Sequence, residues 1–494
     1  MITIYIESPD DKRFNRIRYV MAQMLVPIGF PFSIVRGLNK ANNSFAIACV
    51  PEWLLSNYSL QEFDLIIPYG HYTPWASGGS IIESDNIEGI PVLYIGKKPD
   101  FLIHDRKVGF DLINVVFFLL SRQEEYTYTH RDQLNCFAAT YSILYEQGIL
   151  GVPVLNCYIK YLESYISPQI RDVPEQKWKN GANYAVILTH DLDHLPSKHV
   201  TITFNRLLHG HHDSGFTANL LSCSKEFLSY LSLSKPTWEL SHWLRKEDEY
   251  GFRSVFFMSA NTKRRHFKDP SYWIHSKLMY KGKEIPLSRA AKDMEENGWE
   301  IGLHASINSY QDQQLLSKEK DLLANKTGCV VAGIRHHHLR FDIQKTWRIH
   351  ESVGFSYDTT LGYNERSGFR AGIAFPFTPY DLLNDREYNL LELPMSIMDG
   401  NFFTDHGEKL DALKAIKRCK KLFDVVEQNQ GLLVINFHPH YYATTHPDWW
   451  ILYEYIIKRA SESSVWVATG REITQWWQEK RKRLIIKKKI GEIK

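Results

Sequence analysis

Short apolar runs alternate with helix-like stretches along the second half of the chain. Eight such runs lie between residues 184 and 469, and most are separated by segments whose apolar residues recur at helical spacing. Alternating strands and helices favour a parallel sheet covered by helices. We therefore predict an α/β fold with a distorted parallel (β/α) barrel of seven or eight strands over residues 181–479. The runs span residues 184–189, 254–258, 299–304, 329–335, 354–360, 389–395, 432–437 and 465–469.

The first 150 residues show the same pattern on a smaller scale. They predict a smaller α/β N-terminal domain of unknown role over 1–150, followed by a helix and linker over 151–180. The neighbouring Glu124 and Glu125 are expected at a helix end or in a contact between domains rather than as an acid/base pair. The predicted strands span 2–6, 45–49, 64–70 and 91–96, and the predicted helices span 14–29 and 111–126.

The composition is that of a globular protein, with 44% hydrophobic and 23% charged residues in 494. No apolar stretch reaches the ~18–20 residues that a membrane span requires. The first residues lack the basic and apolar segments of a secretion signal. The six cysteines are scattered without a CxxC pair, which argues against a thiolate zinc site and a disulfide framework. We expect a cytoplasmic protein.

The net charge of +3 is unevenly distributed. The basic tail over 480–494 carries +7, and the rest of the chain carries −4. The body therefore lacks the basic footprint of a nucleic-acid-binding protein, and no nucleic-acid partner is expected. The tail is predicted to be a solvated helix end, or alternatively to make weak contact with an anionic membrane surface.

Polar side chains that can take part in catalysis or bind a metal follow the predicted barrel strands. Asp, His or Arg residues come directly after five of the apolar runs, whereas ordinary solvated loops are richer in Lys, Glu, Ser and Gly. The carboxyl ends of parallel barrel strands meet at one face, where active sites are built. The sequence thus predicts a site at that face. These residues are Asp191, Asp193, His304, Arg335, His336, His337, His338, Asp358, His438 and His440.

Asp191 and Asp193 are the sharpest element of this pattern. Side chains two residues apart on an extended segment point the same way, and two adjacent carboxylates repel each other unless a cation compensates. A divalent metal would take one carboxylate as a ligand and leave the other as a base. His304 is a natural second ligand. The alternative is that the pair only forms a turn or caps a helix.

Five motifs in order resemble those of the polysaccharide deacetylase (NodB-type, carbohydrate esterase) superfamily, over roughly 180–480. The whole chain further resembles a bacterial branch of that superfamily with an uncharacterised N-terminal domain, associated with surface-polysaccharide biosynthesis. The motifs are Thr189-His190-Asp191-Leu192-Asp193, GLHASIN (302–308), IRHHHLRF (334–341), YDTTLGY (357–363) and VINFH (434–438). The stretches that resemble the branch are SRQEEY (121–126), GFRAGIAFPF (368–377) and ELPMSIMD (392–399).

The resemblance implies a hydrolase of carbon–nitrogen bonds other than peptide bonds. It would be a deacetylase of an N-acetyl sugar that uses a divalent metal, with zinc the ion that the resemblance implies. By that resemblance Asp191 is the general base and His438 the general acid. Arg335 orients Asp191, and Asp358 belongs to the fourth motif. Asp193 and His304 are then metal ligands.

The chain departs from the superfamily pattern at the second metal histidine, where Asn308 stands. An amide oxygen binds zinc more weakly than imidazole does. His337 is the best-placed substitute, because on an extended stretch it shares a face with Arg335, while His336 and His338 share the other. Without a substitute ligand, the protein is expected to bind no metal.

A segment rich in aromatic residues and arginine follows the fourth motif and is a candidate sugar groove. Arg366, Arg370 and Tyr363 are the candidate substrate-binding residues, together with His440, which also competes with His438 as the acid. The alternative is a long loop packed on the barrel rim. Asp399 is a candidate partner for His438 or a helix cap.

Three functions remain open at this point. The first is metal-dependent hydrolysis of an N-acetyl group on a sugar of a surface polysaccharide or its precursor. The second is a carbohydrate-binding pseudoenzyme, and the third a metal-independent amidohydrolase of a small cyclic amide. His209, His211 and His212 are expected to be solvated. No pattern indicates the sugar or the oligomeric state.

Overall fold

The computed structural model describes residues 1–40, 44–71, 82–95, 97–195, 239–261, 266, 268–270, 272–441, 446–462 and 464–486. Two sheets dominate this part of the chain, one of six strands in the N-terminal region and one of nine in the C-terminal region. The predicted solvated residues His209, His211 and His212 lie outside the described residues, as do residues 487–494 of the predicted basic tail.

The N-terminal sheet has the strand order β2-β1-β3-β4-β8-β7. Its first five strands are parallel, and β7 joins β8 as an antiparallel hairpin. A separate hairpin, β5–β6, contains the segment predicted as a strand over 91–96. The strands are β1 (Ile2–Ile6), β2 (Phe32–Arg36), β3 (Phe45–Pro51), β4 (Leu65–Tyr69), β5 (Ile82–Ile87), β6 (Ile90–Ile95), β7 (Ile103–His104) and β8 (Lys107–Val108).

The helices of this region pack around the sheet. The single helix predicted over 111–126 is two helices, because Arg122 adopts a left-handed conformation with φ 53° and breaks the hydrogen-bond ladder. The predicted linker over 151–180 begins with a full helix. The helices are α1 (Asp11–Ile28), α2 (Leu112–Leu120), α3 (Gln123–Thr127), α4 (Ile143–Glu146) and α5 (Val154–Ile166).

The C-terminal sheet is parallel throughout and has the order β18-β15-β14-β13-β10-β9-β20-β19, with β21 also paired to β9. No ladder joins β18 to β19 within the described chain, so the sheet is a curled barrel that stays open between these two strands. The run predicted as one strand over 389–395 contains β18 and the start of β19. The strands are β9 (Tyr184–Leu192), β10 (Val255–Met258), β13 (Glu300–Ala305), β14 (Gly333–His336), β15 (Tyr357–Asp358), β18 (Leu391–Glu392), β19 (Met395–Met398), β20 (Leu432–Asn436) and β21 (Val465–Val467).

Helices cover the outside of this sheet and two antiparallel hairpins project from it. The hairpins are polar and short, and the apolar pattern did not predict them. They are β11 (Lys277–Tyr280) with β12 (Lys283–Pro286), and β16 (Tyr380–Asp381) with β17 (Arg386–Glu387). The helices are α6 (Leu240–Asp248), α7 (Leu287–Glu296), α8 (Gln313–Thr327), α9 (Thr346–Val353), α10 (Asp399–Phe403), α11 (Ala412–Gln428), α12 (Pro447–Ala460) and α13 (Gly470–Leu484).

The two regions share one apolar core. Inward-facing barrel residues such as Ile187, Phe257 and Val434 belong to the same buried cluster as the N-terminal sheet and its helices. A buried ion pair also crosses between them: Arg370 donates to both carboxylate oxygens of Glu125, at 3.0 and 2.7 Å. The expected contact between domains at Glu125 is therefore present.

The C-terminal basic segment is not a free tail over its first residues. Lys480 is fully buried in α13, and its Nζ donates to the Gln176 carbonyl oxygen at 2.9 Å. Arg481 pairs with Glu387, and Ile486 N donates to Phe32 O at 2.8 Å. The expected solvated helix end does not hold for Lys480 and Leu484, which are buried because α13 packs against the N-terminal region, whereas Lys482 and Arg483 are exposed.

Among the described helices, none is both long enough and apolar enough to cross a bilayer. The five cysteines in the described part of the chain are free thiols.

Candidate active site

Four of five consecutive barrel strands, β14, β13, β9 and β20, deliver predicted site residues to one place, and β10 lies between β13 and β9. Parallel pairing aligns Asn436 of β20 with Thr189 of β9, and Arg335 of β14 with His304 of β13. The last residues of β9, Asp191 and Leu192, pair with β10. Because all these strands run in the same direction, their carboxyl ends form a common rim. The predicted site lies at this rim.

Asp191 is a buried carboxylate held by two donors. Arg335 Nη1 donates to its Oδ1 at 2.9 Å, and Asn436 Nδ2 donates to its Oδ2 at 2.8 Å. Burial raises the pKa of Asp191, but the charges of Arg335, His304 and His438 outweigh this and hold it below the ordinary value. Asp191 is therefore an ionised carboxylate of fixed orientation.

Arg335 is itself fixed by the surrounding backbone and hydroxyl groups. Its Nη1 donates to Thr189 Oγ1 at 2.7 Å, and its Nε and Nη2 donate to the carbonyl and hydroxyl oxygens of Thr359 at 3.2 and 3.0 Å. The guanidinium lies over the Phe257 ring, 4.6 Å from its centre. The sequence-based expectation that Arg335 orients Asp191 agrees with this geometry.

Asp193, His304 and His337 form a compact cluster beside Asp191. Asp193 Oδ1 lies 3.0 Å from His304 Nε2 and 3.7 Å from His337 Nε2. One ligand atom from each residue lies within 4.8 Å of the others. Apart from this contact with each other, neither Asp193 Oδ1 nor His304 Nε2 has a hydrogen-bond partner among the described residues, although both atoms are buried. A buried carboxylate oxygen and a buried imidazole nitrogen without other partners fit a divalent metal ion as ligands.

The two histidines of this cluster are oriented from behind. His304 Nδ1 lies 3.1 Å from the carbonyl oxygen of Arg335, which leaves Nε2 facing Asp193. His337 Nδ1 lies 3.9 Å from Asp269 Oδ1. A hydrogen-bonded outer partner such as the Arg335 carbonyl group fixes the ring orientation of a metal-binding histidine, whereas Asp269 lies beyond hydrogen-bond distance of His337. The sequence reasoning did not single out Asp269, because nothing near it in the sequence marks it as part of the site.

Asn308 does not approach this cluster as a fourth member. Its side chain is exposed, and its Oδ1 lies 3.5 Å from Arg340 Nη1. Of the three consecutive histidines, His337 faces Asp193. His336 points the other way, with its Nε2 2.8 Å from His350 Nε2. The structure thus places His337 where the sequence left the choice open.

His438 faces the other carboxylate oxygen of Asp193. Its Nε2 lies 3.5 Å from Asp193 Oδ2. Asp399 Oδ1 lies 2.7 Å from His438 Nδ1, and Asp399 Oδ2 accepts from the His438 backbone N–H at 2.7 Å. Burial lowers the pKa of His438, but the carboxylate of Asp399, with those of Asp193 and Asp191, raises it to about 10. Asp399 therefore contacts His438, which is one of the two possibilities that its position left open.

Asp358 lies behind the site rather than in it. It is fully buried, its Oδ1 accepts from Thr360, and its Oδ2 lies 3.3 Å from His350 Nδ1. Burial raises the pKa of Asp358, but His350 holds it below the ordinary value. No contact joins Asp358 to Asp191 or Asp193 among the described residues. The geometry therefore does not support the expected catalytic role of Asp358.

The predicted sugar-binding residues are not gathered in one groove. Arg370 is buried, and each of its three guanidinium nitrogens donates to Glu125 or to the Gly362 carbonyl oxygen. Tyr363 is buried beside Arg370. Arg366 is half-buried and donates to the backbone of Glu365. His440 lies near the site, its ring 5.7 Å from that of His438.

Two contributors to the site lie inside or beside the predicted motifs without having been named. Asn436 precedes His438 by two residues, and its amide holds Asp191. Thr359 follows Asp358, and it holds Arg335. Both belong to strand ends that the motifs mark, so the signal for them was present in the sequence.

Comparisons with known proteins give a partial match. A model described as a family of unknown function (DUF7033) matches residues 4–170. No curated protein matches the chain.

Two solved structures match part of the chain. One, from Mycobacterium smegmatis, is described as a candidate polysaccharide deacetylase; it is 19% identical, with a TM-score of 0.41, and the match covers 64% of this chain and 96% of that one. The other, from Bordetella bronchiseptica, is described as a candidate polysaccharide deacetylase involved in O-antigen biosynthesis. It is 14% identical with a TM-score of 0.27, covering 62% and 94%. Likeness at this level does not establish a common function.

Proposed function

We propose that this protein hydrolyses an N-acyl group, an acetamide in the first instance, on a sugar of a surface polysaccharide or its precursor. The observation that carries the proposal is the arrangement around Asp193. A carboxylate held by two donors, Asp191, and an imidazole held by a carboxylate, His438, both lie beside the cluster that fits a metal ion. The choice of a sugar substrate rests on the resemblance of the five motifs.

The metal ion would be held by Asp193, His304 and His337, and zinc is the ion we propose. Two imidazoles and one carboxylate, with a coordination position left open, are a common ligand set of catalytic zinc. When bound, such an ion supplies Lewis acidity to the acyl oxygen and lowers the pKa of water. The residues of this chain would supply the general base and the general acid.

Asp191 is proposed as the general base. Its two oxygens are fixed by Arg335 and Asn436, so the carboxylate keeps one orientation while it accepts a proton from the attacking water. The fixed donors also remove the need to reorganise the site during the reaction, which is a large part of electrostatic catalysis.

His438 is proposed as the general acid. The Asp399 carboxylate engages Nδ1, so the Nε2 atom is the one directed towards Asp193 and the site. Donation from Nε2 to the departing nitrogen would let the sugar leave as an amine. A site that only bound carbohydrate would not need a base and an acid that are each held by a dedicated partner, which favours an enzyme over a pseudoenzyme.

The test is release of free acetate from a panel of N-acetyl sugars, offered as monosaccharides, nucleotide-linked sugars and oligomers, by zinc-loaded protein. Asp191→Asn is expected to lower the rate by at least about 10²-fold, because general-base catalysis typically contributes 10²–10⁴-fold. Asp10→Asn is the matched control, since Asp10 caps α1 far along the chain from the site. Acetate release that Asp191→Asn leaves unchanged would contradict the assignment.

A further inference from the structure

The loop that carries His337 has an uncommon backbone. His338 and Leu339 are consecutive residues with positive φ, 57° and 52°. Residues with side chains rarely adopt this conformation, and it persists where the surroundings hold it. Residues 337–340, here called the ligand loop, therefore need support from outside.

Part of that support comes from the barrel. Asn364 Nδ2 donates to the His338 carbonyl oxygen at 2.9 Å, and Leu339 is buried. Arg340 Nη1 donates to the Ile307 carbonyl oxygen at 3.0 Å. These contacts tie the ligand loop to the segment after β13 and to the segment after β15.

The remaining support comes from the N-terminal region. Cys136 Sγ lies 3.5 Å from the carbonyl oxygen of His338 and 3.7 Å from that of Leu339, within reach of a weak S–H bond. Asn135 Nδ2 donates to Tyr310 Oη at 3.1 Å, and Arg340 Nη2 donates to the same oxygen at 3.1 Å. Tyr310 thus connects Asn135 to the last residue of the ligand loop.

The supporting segment is itself pre-formed. Asp132 Oδ1 accepts from the backbone N–H groups of Leu134 and Cys136, both at 2.8 Å, and closes a tight turn. Cys136 is buried, and Asn135 has φ 62° within this turn. A turn fixed by its own carboxylate presents Asn135 and Cys136 to the ligand loop in one geometry.

We propose that Asn135 and Cys136 of the N-terminal region are positioning residues for the metal site, because they hold the ligand loop and thereby His337. The inference rests on the proposed function, since it assumes that His337 binds the ion. This inference gives the N-terminal region a role. Asn308 stands where the resemblance expects a histidine ligand, and the ligand His337 comes instead from the ligand loop, which the barrel alone does not hold.

The test measures the zinc affinity of the full-length protein after removal of metal with a chelator. Affinity is determined by competition with a chromophoric chelator, and the visible absorption of the Co²⁺-loaded protein reports the ligand geometry. The test variants are Asn135→Ala and Cys136→Ala, with His337→Ala as the benchmark for a lost ligand. The matched controls are Asn297→Ala and Cys419→Ala, at a helix end and in the core beneath α11.

Each test variant is expected to bind zinc about 10–100-fold more weakly, the usual cost of losing an outer partner of a metal ligand. The Co²⁺ spectrum is expected to shift towards that of His337→Ala. Cys136→Ser, which keeps a donor, is expected to regain most of the affinity, whereas loss of structure alone would not be rescued by this variant.

Two results are decisive in the other direction. Test variants that bind zinc as tightly as the controls, with an unchanged Co²⁺ spectrum, would overturn the positioning role and leave the proposed function standing. A wild-type protein that takes up no zinc at all would overturn both. Thermal unfolding of the metal-free variants, compared with the controls, separates a local effect on the ligand loop from a general loss of stability.

Discussion

Asp191 and Asp193 lie two residues apart and have different surroundings. Both oxygens of Asp191 accept hydrogen bonds from Arg335 and Asn436. Asp193 instead faces imidazoles, which hold its pKa well below the ordinary value although burial raises it. A carboxylate oriented by one donor on each oxygen keeps lone pairs free to accept a proton, and one facing imidazoles suits a shared cation. The difference lies in the neighbours, not in the two residues themselves.

Removal of a central ligand gives the first test at this scale. His304→Ala is expected to lower the zinc content from about one ion per chain to near zero, because a carboxylate and one imidazole hold zinc poorly. His104→Ala is the control, since that side chain is largely exposed on β7. Elemental analysis by mass spectrometry, on protein purified without a histidine tag, gives the ratio. Unchanged zinc in His304→Ala would remove this residue from the metal site.

The sequence predicted which residues lie together where a strand end carries each of them, and their roles stay predictions. Asp191, Asp193, His304, Arg335 and His438 lie together because a parallel sheet brings strand ends to a common rim. Asp269 was missed because it lies in a segment between strands, and only the folded chain brings it near His337. Arg370 was misjudged as a sugar ligand, because its partner Glu125 lies 245 residues away in sequence.

At the scale of elements, α3 and the segment after β15 form one unit. Arg122, just before α3, donates to the carbonyl oxygen of Arg370 at 2.5 Å, and Arg370 donates to that of Gly362 at 2.8 Å. Asn401 in α10 donates to the carbonyl oxygen of Tyr363 at 2.8 Å. The same segment holds Arg335, through Thr359. The stretches 121–126 and 368–377 thus each contribute one partner of a buried ion pair.

Glu125→Gln tests the strength of this connection. Burial raises the pKa of Glu125, but Arg370 and Arg122 lower it to about 2, so the carboxylate is charged. Its loss leaves the buried Arg370 without a counter-charge and leaves Arg122 with Glu124 alone. The free energy of unfolding is expected to fall by about 3–5 kcal/mol. Glu479→Gln, which removes an exposed partner of Arg483, is expected to change it by less than about 1 kcal/mol.

Urea unfolding, followed by tryptophan fluorescence, measures both variants. Equal midpoints for Glu125→Gln and Glu479→Gln would show that the buried pair does not join the two regions. A lower midpoint for Glu125→Gln, with the same slope, is the expected outcome.

At the scale of the whole molecule, α13 connects the barrel with the N-terminal region. The helix begins at Gly470, where a Cβ would lie 2.3 Å from the Tyr357 ring, so glycine is required there for the close approach. It ends beside the N-terminal sheet, where Ile486 N donates to Phe32 O. The apolar pattern predicted both sheets. It could not predict this connection, since the basic residues at 480–483 read as a solvated end.

Lys480 gives this connection a pH dependence. Burial lowers the pKa of Lys480 from 10.5 to about 7. Between pH 7 and 10 the unfolded chain therefore holds a proton at Lys480 that the folded chain lacks, so stability rises with pH in this window. Below pH 7 both states hold the proton, and the contribution is constant.

Lys480→Met is expected to lack this slope, which reaches at most about 1.4 kcal/mol per pH unit. Its stability advantage over the wild type should shrink from pH 7 to pH 10. Urea unfolding at several pH values in this range measures it, with the exposed Lys482→Met as the control. Parallel pH curves for Lys480→Met and the wild type would contradict the prediction.

The pairing of Ile485 and Ile486 with Phe32 also sets an order of events during synthesis. β2 is the edge strand of the N-terminal sheet, and about 450 residues separate Phe32 from the segment that pairs with it. At ~5–20 residues per second, a ribosome needs about 20–90 s to make that stretch. An N-terminal sheet that forms on the ribosome therefore presents an open strand edge for this time, during which chaperones, or other nascent chains, can pair with it.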